Sequence, residues 1–318
     1  MEKIKRHYLK ILEIKKHFGK IFFIIFLFLF TFFILSFYLN IKKENLLNII
    51  FFDIGQGDSS LIKMPNGEKI LIDAGPNNLI VKKLENYFSL FDRDIDYILM
   101  THPDADHISG FYFVAENFNI KNILENGDRN KNTDIFKNIE NIFKKENIED
   151  KEIFVNCGDI LDYENFDKPR IFIFHPRQDS LVSNDTNENS IVALLTYDKY
   201  SFLFTGDMDE IVEKNLFNEI DKCFSFSDIN FIKQKLKNLT VLKVSHHGSK
   251  TASSKDFLKI LKPEYSVISV GKNNRYGHPN DETLDNLKKY SKNIFDTSKD
   301  GDIIFNTDGE NFEFKKEK

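Results

Sequence analysis

The chain has 318 residues with 41% hydrophobic content and a formal charge of −5, which is enough apolar material for one large folded domain. Residues 1–40 carry seven positive and two negative side chains, so the remainder is near −10, which excludes a generic binder of nucleic acid or acidic lipid. Two cysteines, Cys157 and Cys223, exclude a disulfide-rich scaffold and a cysteine-based zinc site; they read as two free thiols in or near the core.

Residues 21–38, "IFFIIFLFLFTFFILSFY", are uncharged and apolar all round. Extended to Ile41, this segment reaches about 30 Å as a helix, enough to cross a bilayer. No small-residue cleavage site follows it, so it reads as an uncleaved anchor. The division is a basic tail over 1–20, a transmembrane anchor over 21–41 and a folded domain over 42–318. Lys3, Lys5, Arg6, Lys10, Lys15, Lys16 and Lys20 precede the span, and only Lys42 and Lys43 follow it closely. The positive-inside rule therefore expects a single-pass protein of the cell membrane, its N-terminus cytoplasmic and its domain outside.

Strands are expected over Ile49–Asp53, Ser59–Lys63 and Lys69–Ile72, the last two joined by a turn at Asn66–Gly67. Leu79–Phe88 reads as a helix and Asp96–Met100 as a strand. A helix over His107–Asn117 carries the apolar stripe Ile108, Phe111, Val114 and Ala115. Ile120–Leu124 reads as a strand, and Thr133–Phe143 as a helix. "RIFIFHP" and "SIVALLTYDKYSFLFTGD" give three more strands. Helices over Asp209–Ile220 and Phe231–Lys237 precede the strand "TVLKVSHHG". A helix stopped by Pro263, the strand "YSVISVG", a helix capped by Asn280 or Asp281, and a hairpin around Asp308–Gly309 complete the chain. Sheets with helices packed outside them are expected, in one domain.

Polar groups gather at strand ends. In "THPDADHISG", His102, Asp104, Asp106 and His107 lie between a strand and a helix. Two imidazoles and two carboxylates so spaced can hold two metal ions, whose shared hydroxide is a strong nucleophile at neutral pH. Taken alone, the segment also reads as a helix cap beside solvent-facing histidines. Asp207 follows the apolar strand "FLFT", His246 and His247 end another, and His278 precedes Pro279. Asp53 and Asp73 end strands beside glycines.

The segments "FFDIGQGDSSLI", "ILIDAG", "THPDADHISGF", "NENSIVALLTY", "FLFTGD", "LKVSHHGS" and "NNRYGHP" together resemble the metallo-β-lactamase superfamily, in particular the hydrolase domain of the ComEC family of DNA-uptake (competence) proteins. The resemblance implies an α/β fold, an αββα sandwich, here preceded by one transmembrane helix. It also implies a metal-dependent hydrolase with two divalent ions, zinc or manganese. By that likeness His102, Asp104, Asp106, His107, Asp207 and His247 are metal ligands, with Asp207 bridging. Asp106, His246 and His278 are the expected catalytic groups, and Asp53 and Asp73 orient imidazoles. Where the family pattern has a middle histidine, this chain has Asn189, with His175 as the other candidate. Asp104 stands where the commoner signature has histidine, which hardens the site and admits manganese. One span cannot form the family's channel, so a separate uptake-channel protein is the implied partner.

Residues 243–275 contain Lys243, Lys250, Lys255, Lys259, Lys262, Lys272 and Arg275 against Asp256 and Glu264. Within an acidic domain this favours phosphate, and Lys250, Arg275 and Asn189 are the expected substrate contacts. The expected substrate is a phosphodiester, with extracellular DNA favoured. Two alternatives stand beside it. One is a phosphorylcholine-type esterase on cell-surface polymers, using Tyr112, Phe113 and Tyr276 as an aromatic site. The other is a non-catalytic tethered binding module.

Overall fold

In a computed structural model, the structure describes residues 1, 17–35, 46–89, 92–128, 133–162, 169–177 and 185–318. The chain divides into two units, 1–46 and 47–318. In the first, helix α1 (His17–Leu35) is long and apolar enough to cross a membrane. Its side chains are exposed to the surroundings throughout, unlike those of a core helix. The basic residues Lys3 to Lys16, the end of the span at 36–41 and Lys42–Lys43 lie outside the described residues.

The second unit runs β1 (Leu47–Phe51), β2 (Ser60–Lys63), β3 (Lys69–Ile72), α2 (Leu79–Glu85), β4 (Asp94–Ile95), β5 (Tyr97–Leu99), α3 (Ala105–Ile108), α4 (Phe111–Asn117), β6 (Asn119–Ile120), β7 (Ile123–Glu125), α5 (Asp134–Lys145), β8 (Glu152–Phe154) and β9 (Ile160–Asp162). It continues with β10 (Arg170–His175), β11 (Val192–Tyr197), β12 (Tyr200–Phe204), α6 (Glu210–Cys223), α7 (Phe226–Lys237), β13 (Val241–Lys243), α8 (Lys255–Leu261), β14 (Tyr265–Ile268), α9 (Asp281–Tyr290), β15 (Asn293–Asp296), α10 (Thr297–Asp300), β16 (Ile303–Thr307) and β17 (Phe312–Lys316).

One sheet has the order β17-β16-β1-β2-β3-β5-β7-β8 and the other β15-β14-β13-β12-β11-β10-β9. Side-chain alternation explains why they stack. Ile49 and Phe51 share an inner core with Ile171, Ile173, Phe202 and Val241 of the opposite sheet. Ile50, Phe52 and Leu71 face the other way, onto α2, α4 and α5. On the second sheet Phe172, Phe174, Leu194 and Leu203 face outward onto α6 to α9. Strands buried on both faces read as continuous apolar runs, and the result is the expected αββα sandwich.

Each sheet begins antiparallel and turns parallel. Strands β3, β5, β7 and β8 run parallel in one, as do β12, β13, β14 and β15 in the other. Loops that leave the carboxyl ends of such strands are where open α/β sheets place their ligands. His102–His107 follows β5, Asp207 follows β12, His246–His247 follows β13, and His278 lies beyond β14.

Three differences from expectation have identifiable causes. The single helix expected over His107–Asn117 starts at Ala105 and breaks at Ser109–Gly110. There Gly110 backs onto Ala74, where any Cβ would lie 2.0 Å from the carbonyl oxygen. The helix expected from Phe231 begins at Phe226, because the Ser225 hydroxyl accepts the Asp228 amide. Cys157 and Cys223 are not free thiols: they form a disulfide between the loop after β8 and the end of α6, with Cα atoms 5.7 Å apart. Their long separation in sequence is closed by the fold.

Candidate metal centre

Three imidazoles are fixed from behind. Asp73, buried at a positive φ of 54°, accepts the Thr101 amide at 2.9 Å and the Thr101 hydroxyl at 2.7 Å. His107 Nδ1 lies 2.8 Å from the same carboxylate. The Thr101 proton is thus committed to Asp73, so His102 Nδ1, 3.0 Å from Thr101 Oγ1, must be the donor of that pair. His247 Nδ1 lies 2.9 Å from the Ser269 carbonyl, which only accepts. All three rings are therefore held with Nδ1–H outward and Nε2 facing inward.

The inward atoms converge on Asp207. His107 Nε2 lies 3.3 Å and His247 Nε2 3.4 Å from Asp207 Oδ2. His247 Nε2 is also 3.3 Å from Asp106 Oδ2, and His102 Nε2 is 3.9 Å from Asp104 Oδ1. The Nε2 atoms of His102, His107 and His247 and the Oδ1 of Asp207 are buried, and none has a hydrogen-bond partner among the described residues. Buried polar atoms in that state are rare. Two donor sets explain them: His102, His107 and Asp207, and Asp106, His107 and His247. Asp104 lies beside the first set, its carboxylate accepting the Thr186 hydroxyl at 2.6 Å.

Two residues that sequence reasoning did not assign complete the arrangement. Asp58, in the "GQGD" turn, is 4% exposed and lies 3.3 Å from His247 Nδ1. Lys243, 3% exposed, pairs with Asp58, donates to the Gly206 carbonyl at 3.0 Å and lies 3.7 Å from Asp207 Oδ1. Lys243 is therefore buried behind the site, apart from the exposed basic residues with which its sequence position grouped it. With the imidazoles neutral, Asp58, Asp73, Asp104, Asp106 and Asp207 against Lys243 leave a surplus negative charge that two divalent cations balance. The donor set and the charge both fit such ions.

Without bound cations the three rings differ in their electrostatics. Burial and the neighbouring His107 push His102 down to about 3, so it stays neutral. Burial also opposes charge on His247, yet Asp207 and Asp58 outweigh it and raise the ring to about 10. His107 is raised well above its ordinary value, Asp207 and Asp73 outweighing burial. Burial raises the Asp73 carboxyl, partly offset by His107.

The other expected residues are placed as follows. His246, at φ 48°, has Nδ1 3.1 Å from Asp209 and Nε2 3.9 Å from Asp207 Oδ2. His278 is half-buried, its ring 5.8 Å from that of His246 and 5.9 Å from Tyr276. Arg275 is exposed and covers the Tyr276 ring at 5.0 Å. Asn189 is fully buried and donates to Asp128 at 2.7 Å, while the adjacent Ser190 hydroxyl accepts the Asp207 amide. Lys250 is exposed beside a cleft that also holds Glu210, Asp256 and Glu282.

Two residues lie elsewhere. Among the described residues Asp53 orients no imidazole: its carboxylate meets Lys318 at 2.8 Å, and Asp58 stands against His247 instead. His175 is committed on both ring nitrogens, to Glu219 and to the Glu188 carbonyl, each at 2.8 Å, and does not serve as the middle histidine.

Comparison with known proteins bears on this arrangement. The metallo-beta-lactamase superfamily model matches residues 52–272. "ComE operon protein 3" of Bacillus subtilis (strain 168) is 27% identical over 291 residues, covering 86% of this chain and 34% of that protein. "Recombination protein 2" of Haemophilus influenzae is 25% identical over 260 residues, covering 80% and 28%. The chain thus spans about a third of the length of these relatives. Among solved structures, the metallo-beta-lactamase fold protein YhfI from Bacillus subtilis aligns with 79% of this chain and 95% of that one, at 13% identity and a TM-score of 0.47. With the family model matching more than half of its length, the chain belongs to the metallo-beta-lactamase superfamily.

Proposed function

We propose that this metal-dependent hydrolase is tethered to the cell membrane and cleaves phosphodiester bonds, with DNA outside the cell as its substrate. The observation that carries the reading is the convergence of three buried imidazole Nε2 atoms on Asp207. His102 and Asp207 would hold one divalent ion, with Asp104 alongside. Asp106, His107 and His247 would hold the other, with zinc and manganese both compatible with mixed nitrogen and oxygen donors. Cations bound there supply Lewis acidity and acidify water, which suits substrates that develop negative charge on oxygen.

The protein's own groups have distinct tasks. Asp73, Thr101 and Ser269 fix the ring tautomers. The raised pKa of His246 comes from its hydrogen bond to Asp209 and the Asp207 charge, which together exceed the effect of burial. His246, hydrogen-bonded through Nδ1 to Asp209, stands at the mouth of the site, where its ring can donate to a phosphate oxygen. His278, beside it, hydrogen-bonds or protonates the leaving oxygen. Arg275 offers an exposed guanidinium to the incoming anion.

The charge asymmetry around the span supports an external domain. The Cys157–Cys223 disulfide supports it independently, because such bonds persist in oxidising compartments. The name of the relative "Recombination protein 2" accords with DNA as the substrate. A separate channel protein remains the proposed partner for any role in uptake.

The test assays the full chain in detergent, loaded with zinc or manganese, on single-stranded DNA and on a choline phosphodiester side by side. Cleavage of DNA supports the reading. Cleavage of the choline ester alone would transfer it to cell-surface polymers. A metal-loaded protein that cleaves neither would be a binding module.

A further inference from the structure

A second cleft opens beside the metal centre. It has a volume of about 580 Å³, within the range of small-ligand sites. Its wall joins the centre at two points. Gln56 lines the cleft, and the next residue, Gly57, packs so closely on Asp106 that a Cβ would lie 2.1 Å from the Asp106 carbonyl oxygen. Asn274 also lines it, and its side chain accepts the His278 amide at 3.0 Å and donates to the His278 carbonyl at 2.6 Å.

The cleft is cationic within an acidic domain. Lys83 is neutralised by Asp302 at 2.6 Å and Glu317 at 3.4 Å, and Lys318 by Asp53 at 2.8 Å. Lys82 and Lys272 are exposed on the same wall. Among the described residues no carboxylate lies within ion-pair distance of either lysine. The Gln56 side chain accepts from the Gly271 amide at 3.2 Å, while its Nε2 donor has no partner among the described residues. At Gly55, with φ 85°, an added Cβ would meet nothing within 4 Å, so the backbone lies open there. Two uncommitted ammonium groups, a spare amide donor and open backbone are the groups that bind phosphate oxygens.

We infer that this cleft is a subsite for a neighbouring, uncleaved phosphate of a polymeric substrate, held by Lys82 and Lys272. The inference rests on the phosphodiesterase reading and deepens it: the substrate is a chain with several phosphates, not an isolated diester. It also identifies the role that Asp53 has here, holding Lys318 at the cleft wall.

The test compares the full chain with a Lys82→Ala/Lys272→Ala variant, both in detergent. Binding of a fluorescent oligothymidylate is followed by anisotropy across a salt series, with protein stripped of metal. Cleavage by metal-loaded protein is measured on the oligonucleotide and on bis(p-nitrophenyl) phosphate, which has one phosphate. Loss of two contacts on a single strand should reduce the slope of log affinity against log salt by about 1.4 and weaken binding on the order of tenfold. KM for the oligonucleotide should rise similarly, with bis(p-nitrophenyl) phosphate turnover unchanged. An unchanged salt slope, or equal losses on both substrates, would overturn the subsite. Lysine-dependent binding without cleavage of either substrate would uphold the subsite and sink the phosphodiesterase reading instead. Wild-type protein that fails to bind the oligonucleotide would overturn the subsite.

Discussion

Replacing Lys243 by methionine tests the buried framework behind the metal ligands. Lys243 and Asp58 are both almost fully enclosed, and each is the other's main counter-charge. Burial disfavours the charged form of each. The partner's charge, joined by His247 and His107 around Asp58 and by Asp207 and Asp73 around Lys243, outweighs this, so the Lys243 pKa is raised and the Asp58 pKa lowered. The sign follows for each group. Stability from the raised lysine is present below about 10.5 and is lost as pH rises through its folded value. Stability from the lowered aspartate is present above about 3.8 and is lost as pH falls through its folded value. The pair is therefore intact at neutral pH. Lys243→Met leaves Asp58 buried without its cation, at a cost of about 3–5 kcal/mol. It also strands the Gly206 carbonyl, which adds about 1 kcal/mol. The double variant Asp58→Asn/Lys243→Met removes both charges and should lose only about 1–2 kcal/mol. The coupling of at least about 2 kcal/mol is read from urea unfolding of chelator-treated full chain in detergent. Strictly additive losses, or a Lys243→Met midpoint equal to wild type, would refute the account of the pair.

Two further outcomes follow from the geometry. Gly57→Ala puts a methyl group 2.1 Å from the Asp106 carbonyl oxygen at a φ of 135°, so the backbone bearing Asp106 must move. The variant should fold with a lower Tm and retain less metal at saturating supply; wild-type metal content would show that Asp106 is not held by this contact. Loading metal should also release close to two protons at neutral pH, because His247, at about 10, and His107 must give up Nε2 protons. Raised pKa values mean that protons compete better as pH falls, so affinity should weaken with acidity. Calorimetry in buffers of different ionisation enthalpy measures the release, and a value near zero would contradict the assigned ring environments.

Much of this was legible in the chain because buried strands leave periodic signals. The turn at Asn66–Gly67, the hairpin of β11 and β12, and the "HPDADH" loop after β5 stand where pattern and turn chemistry put them. The family likeness brought Asp207 and His247 to that loop. What stayed hidden depends on contacts between distant segments. β8, β9 and β15 are short and lie at or near sheet edges, with little apolar periodicity of their own. The helix breaks at Gly110 because its amide donates to the Gly75 carbonyl at 2.8 Å, and Gly110 must lack a side chain to sit against Ala74, which no local pattern reveals. Lys243 looked like one member of a basic run, although its place in the apolar strand "TVLKV" just before two histidines was the available signal. Asp58 was visible in "GQGD" but had no role until the fold set it against Lys243 and His247. His175 ends a strand as the site residues do, yet the fold turns it onto Glu219.

The central claim is that Asp207 and the three inward-facing imidazoles hold two divalent ions. Elemental analysis of the full chain in detergent, dialysed after loading with zinc or manganese, tests it most directly, with Asp207→Ala in parallel. The account predicts close to two equivalents per wild-type chain and a loss of metal and of hydrolysis together in the variant. Fewer than one equivalent in the wild type, or full activity in an Asp207→Ala protein without metal, would contradict it.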